Sequence, residues 1–316
     1  MIRTPGRRGP DPGEAILGGM SDTALDLAPG SAELRSLTNP AAYPVLRDVS
    51  PRYGDLGPDG HLSTVAVARW FEDARVGAEL SAFRRLVEDG EMGAFRILLA
   101  AQRIERLAPL PWNARYRIGL GVLRVGGSSF TYGYGIFADE TCVALGDTVT
   151  VFGTSGGNAE LPDALRRDLA GMLLDEPGAA PAYRPGESRR SPGVYPVGLP
   201  LRARVGDIDT NRHANNVALV AWYAEGAAAL ATEVLGTGWG GPPPELSPHT
   251  YRVQYVAEVG YPAEYDLRVG VTRYDADTVH YAFGLFLDDR CVGLADATGA
   301  RGDLPADALD ARRLQD

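Results

Sequence analysis

The chain is built from two copies of one sequence pattern, and this feature constrains its fold more than any other. RYGDLGPDGHLSTVAVARWFEDAR begins at Arg52, and RVGDIDTNRHANNVALVAWYAEGA begins at Arg204, 152 residues later. Further along, FADETCVALGD around Cys142 matches FLDDRCVGLAD around Cys291, 149 residues later. A register that drifts by so little over this length indicates an internal duplication. We therefore expect the same structural unit twice.

Each copy carries the same predicted order of elements. A short strand ends in a Gly-Asp turn, and a long helix follows, expected at 63–87 and at 215–235. Ser63, Thr64 and Asn215 are residue types that favour helix N-caps. The second helix is apolar nearly all round, which predicts burial on most sides. The strands that follow are predicted at 116–127, 128–138 and 141–152, then at 251–259, 265–275, 278–288 and 290–299.

Turn residues separate these strands, so they are expected to form antiparallel hairpins. One buried helix wrapped by an antiparallel sheet, present twice, is an α+β architecture. The predicted division is a disordered tail at 1–40, a first domain at 41–157, a second domain at 199–301 and a tail at 302–316. Residues 158–198 are assigned to a short amphipathic helix (161–174) and a Pro/Gly-rich linker.

Composition removes several classes of chemistry. All 31 basic residues are arginine, so no lysine is available for a Schiff base or for a phosphate-binding P-loop. A net charge of −10 argues against a nucleic-acid binder. Two cysteines, predicted to be core thiols, and four histidines without metal-ligand spacing indicate no metal or other cofactor. The sequence shows no secretory signal and no predicted membrane span, so we expect a cytoplasmic protein.

The phrase DIDTNRHANNV at 207–217, followed by AWYAEGA, carries a resemblance to a known family. It resembles the signature of the hotdog-fold thioesterases, in the superfamily of the acyl-ACP and 4-hydroxybenzoyl-CoA thioesterases. The resemblance covers about 43–301 and is closest to the acyl-ACP thioesterases, which are tandem hotdogs. It implies two tandem hotdog domains, each a sheet wrapped around a central helix, that hydrolyse acyl-ACP or acyl-CoA without a cofactor.

The resemblance and the chemistry together select four catalytic candidates in the second copy. Asp209 and Glu258 are carboxylates that can activate a water molecule or attack a thioester directly. His213 can share the role of base or orient the water. Asn211 offers an amide donor to the substrate carbonyl. An alternative interpretation stays open, in which Asp209 and Asn211 are turn residues and Asn215 is only an N-cap. Asp207 has Asp55 as its equivalent and is interpreted as structural.

Further residues are candidates for substrate binding. The helix start at Asn215 and Asn216 has unpaired backbone N–H groups that suit an oxyanion. Glu225 and its equivalent Asp73 are expected either as a charge satisfied at the interface of the two copies, or as an acid facing a histidine of the other copy. In that case Glu225 would meet His61, or Asp73 would meet His213. Glu72 and Arg75 are expected to form a solvated or interface ion pair.

The first copy has lost most of the catalytic set. Gly57 stands at the position of Asp209, Asp59 at that of Asn211, and Pro109 near that of Glu258; only His61 remains. The first copy is therefore predicted to be degenerate and to shape the acyl pocket.

Partners and the runner-up function also follow from the sequence. The expected partner is an acyl-CoA or acyl carrier protein thioester, with no nucleic acid and no membrane, bound by a monomeric double hotdog or a dimer of it. An acidic carrier would need a basic patch, for which Arg189, Arg190, Arg202, Arg204 and Arg212 form the densest cluster. The alternative is a non-hydrolytic hotdog protein that binds an acyl or polyketide thioester as a sensor, cyclase or dehydratase-like protein.

Overall fold

The computed structural model describes residues 37–88, 96–154, 157–175, 183–210, 212–236 and 248–315, with only the backbone at 79–88 and 96. The first copy contains β1 (Val45–Val49), α1 (Thr64–Glu88), β2 (Arg96–Arg106), β3 (Tyr116–Val125), β4 (Ser129–Ala138), β5 (Thr141–Thr154), β6 (Gly157–Asn158) and α2 (Asp163–Ala170). The second contains β7 (Val197–Arg202), α3 (Asn216–Leu235), β8 (Thr250–Tyr255), β9 (Glu264–Tyr274), β10 (Thr278–Leu287), β11 (Arg290–Ala300) and α4 (Ala306–Asp310).

One antiparallel sheet runs through both copies. Its strand order is β1-β3-β4-β5-β2-β8-β11-β10-β9-β7, with β6 paired to β5. Strands β2 and β8 join the copies, and Arg103 lies opposite Arg252 in that register. These arginines are equivalent in the duplication, so the pseudo-twofold axis passes between them. Helices α1 and α3 contact each other and contribute to a single large core that draws on both copies.

Aromatic packing repeats in both copies. Phe71 on α1 stacks on Tyr134, with ring centroids 4.5 Å apart, and Tyr223 on α3 packs on Phe283 at 5.6 Å. One residue earlier on each helix, the Trp70–Tyr116 pair has its counterpart in Trp222–Tyr265. Equivalent large rings therefore fix each helix to its own half of the sheet. The predicted α+β architecture, with one helix on an antiparallel sheet in each copy, is confirmed.

Strand β2 was not among the predicted strands, although it joins the two copies. Its sequence RILLAAQRIER is rich in Ala, Leu, Arg, Gln and Glu, which favour helix, and pairing on both sides overrides that preference. Extending the alignment of the two copies would have predicted β2, because residues 101–106 align with β8 at the same separation of 149 residues.

The packed part of the chain extends into segments predicted as tails or linker. Leu37 is fully buried and accepts a hydrogen bond from the Tyr43 hydroxyl on its carbonyl, at 2.8 Å. The equivalent Tyr195 hydroxyl donates to the Arg189 carbonyl, also at 2.8 Å. At the C-terminus, α4 buries Leu309 and occupies the place that α2 has in the first copy. Residues 183–196 and α4 thus pack as parts of the second copy. The division into domains otherwise stays a prediction.

Helix α3 is long and apolar enough to cross a membrane by length and composition alone, and about half of it is buried inside the protein. Its buried side chains include Val220, Tyr223 and Leu230, which belong to the core shared by both copies. Burial inside the protein therefore accounts for the composition of this helix.

Arg189 ties the segment before β7 to the second copy. Its guanidinium lies 3.0 Å from both the Asp296 carboxylate and the Ala295 carbonyl and donates to the Tyr195 hydroxyl at 2.9 Å. Arg189→Ala is expected to lower the free energy of unfolding by about 2 kcal/mol, because these acceptors lose their donor. Arg190→Ala, which removes an exposed neighbour, should change it by less than about 0.5 kcal/mol. Denaturant titrations that give equal losses would contradict this.

Candidate functional site

The loop that leads into each long helix is built around an equivalent aspartate. The Asp207 carboxylate accepts the Arg204 N–H at 2.8 Å, and its carbonyl accepts the Asn215 N–H at 2.7 Å. Asp55 makes the matching bonds in the first copy, to Arg52 and Ser63, both at 2.9 Å. These matching bonds agree with the interpretation of Asp207 as a structural residue.

Asp209 and His213 face each other across the tip of this loop. The Asp209 N–H donates to the His213 carbonyl at 3.0 Å, and Arg212 turns the chain with a φ of 69°. The His213 Nδ1 lies 3.6 Å from the Asp209 Oδ2, and both side chains are about one-fifth exposed. This distance is longer than a hydrogen bond, but a carboxylate this near favours the protonated form of the imidazole through its charge. Asn211, the third candidate in the loop, lies outside the described residues.

The loop after β8 brings Glu258 to the same place. The Ala214 N–H donates to the Val259 carbonyl at 2.7 Å, which sets the residue after His213 against the residue after Glu258. The first copy has the same bond from Leu62 to Leu110, at 2.9 Å, and there Pro109 replaces the glutamate. The backbone therefore brings Asp209, His213 and Glu258 to one end of α3.

The start of α3 is held by side chains of the first copy. Asn215 caps the helix, with its Oδ1 accepting the Val217 N–H at 2.7 Å, and its Nδ2 lies 2.9 Å from both carboxylate oxygens of Glu72 on α1. Asn216 accepts a hydrogen bond from the Arg75 guanidinium at 3.3 Å. The Glu72 carboxylate lies 3.6 Å from Arg75, whose side chain is almost fully buried. Of the two predicted possibilities for Glu72 and Arg75, a solvated or an interface ion pair, the structure shows the interface ion pair.

A further residue of the first copy extends this network. Gln102 on β2 is buried, and its Oε1 accepts from the Asn216 Nδ2 at 3.4 Å and from the Tyr255 hydroxyl at 2.9 Å. The end of β8 and the start of α3 are thus connected through a strand of the other copy. The candidate site therefore lies at the interface of the two copies.

Burial shapes the titration of this network. It raises the pKa of the Glu72 carboxyl, and the Asn215 amide and the Arg75 guanidinium oppose the shift. Asp73 and Asp209 add to the rise in that pKa because they are like charges. Burial also raises the pKa of Tyr255 well above its ordinary value, so its hydroxyl stays protonated and donates at neutral pH.

Asp73 and Glu225 do not lie where either expectation put them. Both are exposed, so neither is a charge buried at the interface of the two copies. Among the described residues, no hydrogen bond or ion pair joins Glu225 to His61 or Asp73 to His213. Helical spacing is the reason, because one residue turns the side chain by about 100°. Glu72 takes the interface position instead.

The corresponding end of the first copy keeps the loop but not the network. His61 lies 3.6 Å from Asp59, and its side chain is more exposed than that of His213. The positions equivalent to Glu72 and Arg75 are Ala224 and Ala227 on α3. The two sites that the pseudo-twofold axis relates therefore differ. The site at the start of α3 has the carboxylates and their polar support, and the site at the start of α1 has alanines in place of that support.

Sequence reasoning missed the contribution of Glu72 and Gln102 to this site. A signal for Glu72 was present in the difference between the two copies. On α1 a Glu and an Arg stand one helical turn apart, at positions where α3 has two alanines. As for metals, the described residues contain no group of three His, Cys, Asp or Glu side chains that could hold an ion.

No protein-family model matches the sequence, and no curated protein matches it. Solved structures do match. The 12:0-ACP thioesterase from Umbellularia californica superposes with a TM-score of 0.64 at 14% identity, over 81% of this chain and 97% of that one. A putative oleoyl thioesterase from Lactobacillus plantarum gives 0.61 at 16%, over 83% and 98%. An acyl-ACP thioesterase from Bacteroides thetaiotaomicron gives 0.59 at 14%, over 80% and 96%. At this identity the likeness establishes the fold, and the predicted tandem hotdog is confirmed.

Proposed function

We propose that this protein hydrolyses acyl thioesters, at a site built on the second copy and completed by the first. The observation that carries the proposal is the placement of Asp209 and His213, 3.6 Å apart, beside the start of α3. Support comes from the fold, which the chain shares with acyl-ACP thioesterases.

The residues divide the reaction between them. Asp209 and Glu258 supply the carboxylates for activating water or attacking the carbonyl carbon, and His213 orients the water and shares the proton. Asn211 is assigned as an amide donor to the carbonyl. The N-terminus of α3 stabilises the negative charge that develops on the carbonyl oxygen. Cleavage of the C–S bond releases the carrier thiol, and water supplies the oxygen and hydrogen that complete the acid and the thiol. Asn215 and Asn216 frame this position. No metal or redox cofactor takes part.

The substrate is acyl-ACP or acyl-CoA, so the carrier of the acyl group is either an acyl carrier protein or coenzyme A. Arg189 cannot serve as part of a basic docking patch, because it is buried, whereas Arg190, Arg202, Arg204 and Arg212 are exposed. Arg204 and Arg212 belong to the loop that carries Asp209, so they are the arginines placed to meet an acidic carrier. We further propose that the protein is cytoplasmic and acts as a monomeric double hotdog or a dimer of it.

Thiol release from acyl-CoA and acyl-ACP, over a series of chain lengths, tests the proposal. The folded protein is expected to release many equivalents of thiol, together with the free acid, from at least one carrier. Cys142 and Cys291 contribute at most two equivalents per chain, so only release beyond two counts as turnover. A folded protein that binds acyl thioesters but releases no thiol would contradict the proposal and favour the non-hydrolytic alternative.

A further inference from the structure

Gln102 is a buried amide with one unused end. Only 2% of the residue is exposed, and its Nε2 has no hydrogen-bond partner among the described residues. Burying an amide N–H₂ without an acceptor costs free energy. Because this atom lies beside the candidate site, a ligand bound there could supply the missing acceptor.

The hydrogen bonds around Gln102 fix which end of the amide is which. The Arg75 guanidinium can only donate, so the Asn216 atom that it contacts is the oxygen Oδ1. The Asn216 Nδ2 is therefore the donor toward Gln102, and the atom it contacts at 3.4 Å is the oxygen Oε1. The protonated Tyr255 hydroxyl donates to that same oxygen. The Gln102 Nε2 is thus left as the free donor end.

That free donor lies next to the start of α3. Asn216 is the first residue of the helix, and its backbone N–H has no acceptor among the described residues. The two open donors are linked through Asn216, whose side chain contacts Gln102 and whose backbone begins α3. Donors of this kind suit an oxygen that becomes negatively charged, such as a thioester carbonyl oxygen during attack.

We propose that Gln102 donates a hydrogen bond from its Nε2 to the carbonyl oxygen of the bound acyl group. This inference rests on the proposed function and adds to it a catalytic residue from the first copy. The equivalent position in the second copy is Tyr251, which has no amide. The assignment is therefore specific to the site that carries Asp209 and does not apply to its counterpart in the first copy.

Two substrate analogues test this contact, built on the carrier that the protein hydrolyses. In the first, CH₂ replaces the sulfur and the carbonyl is kept. In the second, CH₂ replaces the carbonyl and the sulfur is kept. Gln102→Met keeps the length of the side chain and removes the donor. We expect about tenfold weaker binding of the carbonyl analogue by calorimetry, unchanged binding of the analogue without a carbonyl, and about tenfold lower kcat.

Two further variants control for folding and packing. Gln102→Glu, measured at a pH where its carboxyl is ionised, keeps the acceptor for Asn216 and Tyr255 but loses the donor, and it is expected to show the same selective loss. Tyr251→Phe removes a polar group from the equivalent position and should bind both analogues and turn over as the wild type does. Thermal unfolding of each variant confirms that the folded protein is being compared.

The outcomes separate this inference from the proposed function. If the wild type turns over thioesters but Gln102→Met weakens both analogues equally, or neither, the hydrolase proposal stands and the role of Gln102 is overturned. If the folded wild type neither releases thiol nor binds either analogue, the proposed function fails, and the inference fails with it.

Discussion

Asp209→Asn is expected to lower the rate of thiol release about a thousandfold. The amide keeps the size of the carboxylate and its ability to stand in a turn, but it can neither take up a proton from water nor attack a carbonyl. Proton transfer by a positioned side chain contributes about 10² to 10⁴ to a rate. The change should appear in kcat with little change in KM, because the lost interaction serves the transition state.

Asp59→Asn is the matched control in the first copy. It changes the carboxylate that lies 3.6 Å from His61, the same separation as in the Asp209–His213 pair. That loop lacks the support of Glu72 and Gln102, so thiol release should stay within about twofold of the wild type. Equal losses in the two variants would mean that both of the sites related by the pseudo-twofold axis carry out the chemistry. An unimpaired Asp209→Asn would move it to another carboxylate, first of all Glu258.

The duplication predicted most of the fold, because it imposes one element order on two segments. Both long helices were placed within one residue of their observed starts, and the short helix predicted from 161 begins at Asp163. The hairpins agree because turn residues mark them. Strand β2 was missed because its composition favours helix, and only pairing on both sides makes it a strand. The segment before β7 was assigned to a linker because Pro and Gly dominate it, whereas a buried arginine holds it to the sheet.

The candidate site was predictable only on the side that carries a motif. Asp209 and His213 lie in one loop, so their proximity follows from their spacing. Glu72 contacts Asn215 across 143 residues of chain, and no local pattern reports such a contact. Predicting it requires knowing which face of α1 meets α3. A difference of one residue, Glu72 against Asp73, separates the partly buried carboxylate from the exposed one.

Glu72→Ala is expected to lower kcat about a hundredfold, although Glu72 belongs to the first copy. Its carboxylate holds the Asn215 amide at 2.9 Å through both oxygens, and Asn215 caps the helix whose start supports the carbonyl oxygen. Misplacement of such a group by about 1 Å can cost about a hundredfold in rate. Glu72 is a positioning residue, so Glu72→Gln, whose oxygen still accepts from Asn215, should recover most of the activity.

The free energy of unfolding, measured over a range of pH, separates the effect of the charge of Glu72 from that of its hydrogen bond. The raised pKa of the folded carboxyl means that the folded state holds its proton to higher pH than the unfolded state does. Between the two pKa values the unfolded state binds fewer protons, so this group lowers the free energy of unfolding as pH rises. Glu72→Gln lacks that slope, and its stability relative to the wild type should increase from about pH 4 upward.

Coupling to Asn215 decides whether Glu72 acts through that residue. In an Asn215→Ala background, Glu72→Ala should add less than about threefold to the loss of activity, because the contact is already broken. Glu233→Ala, which removes an exposed glutamate of α3 paired with Arg312, is the control and should leave kcat within about twofold. A full hundredfold loss on top of Asn215→Ala would mean that Glu72 acts directly on the substrate or the water. A loss unrelieved by Glu72→Gln would show that the charge itself is required.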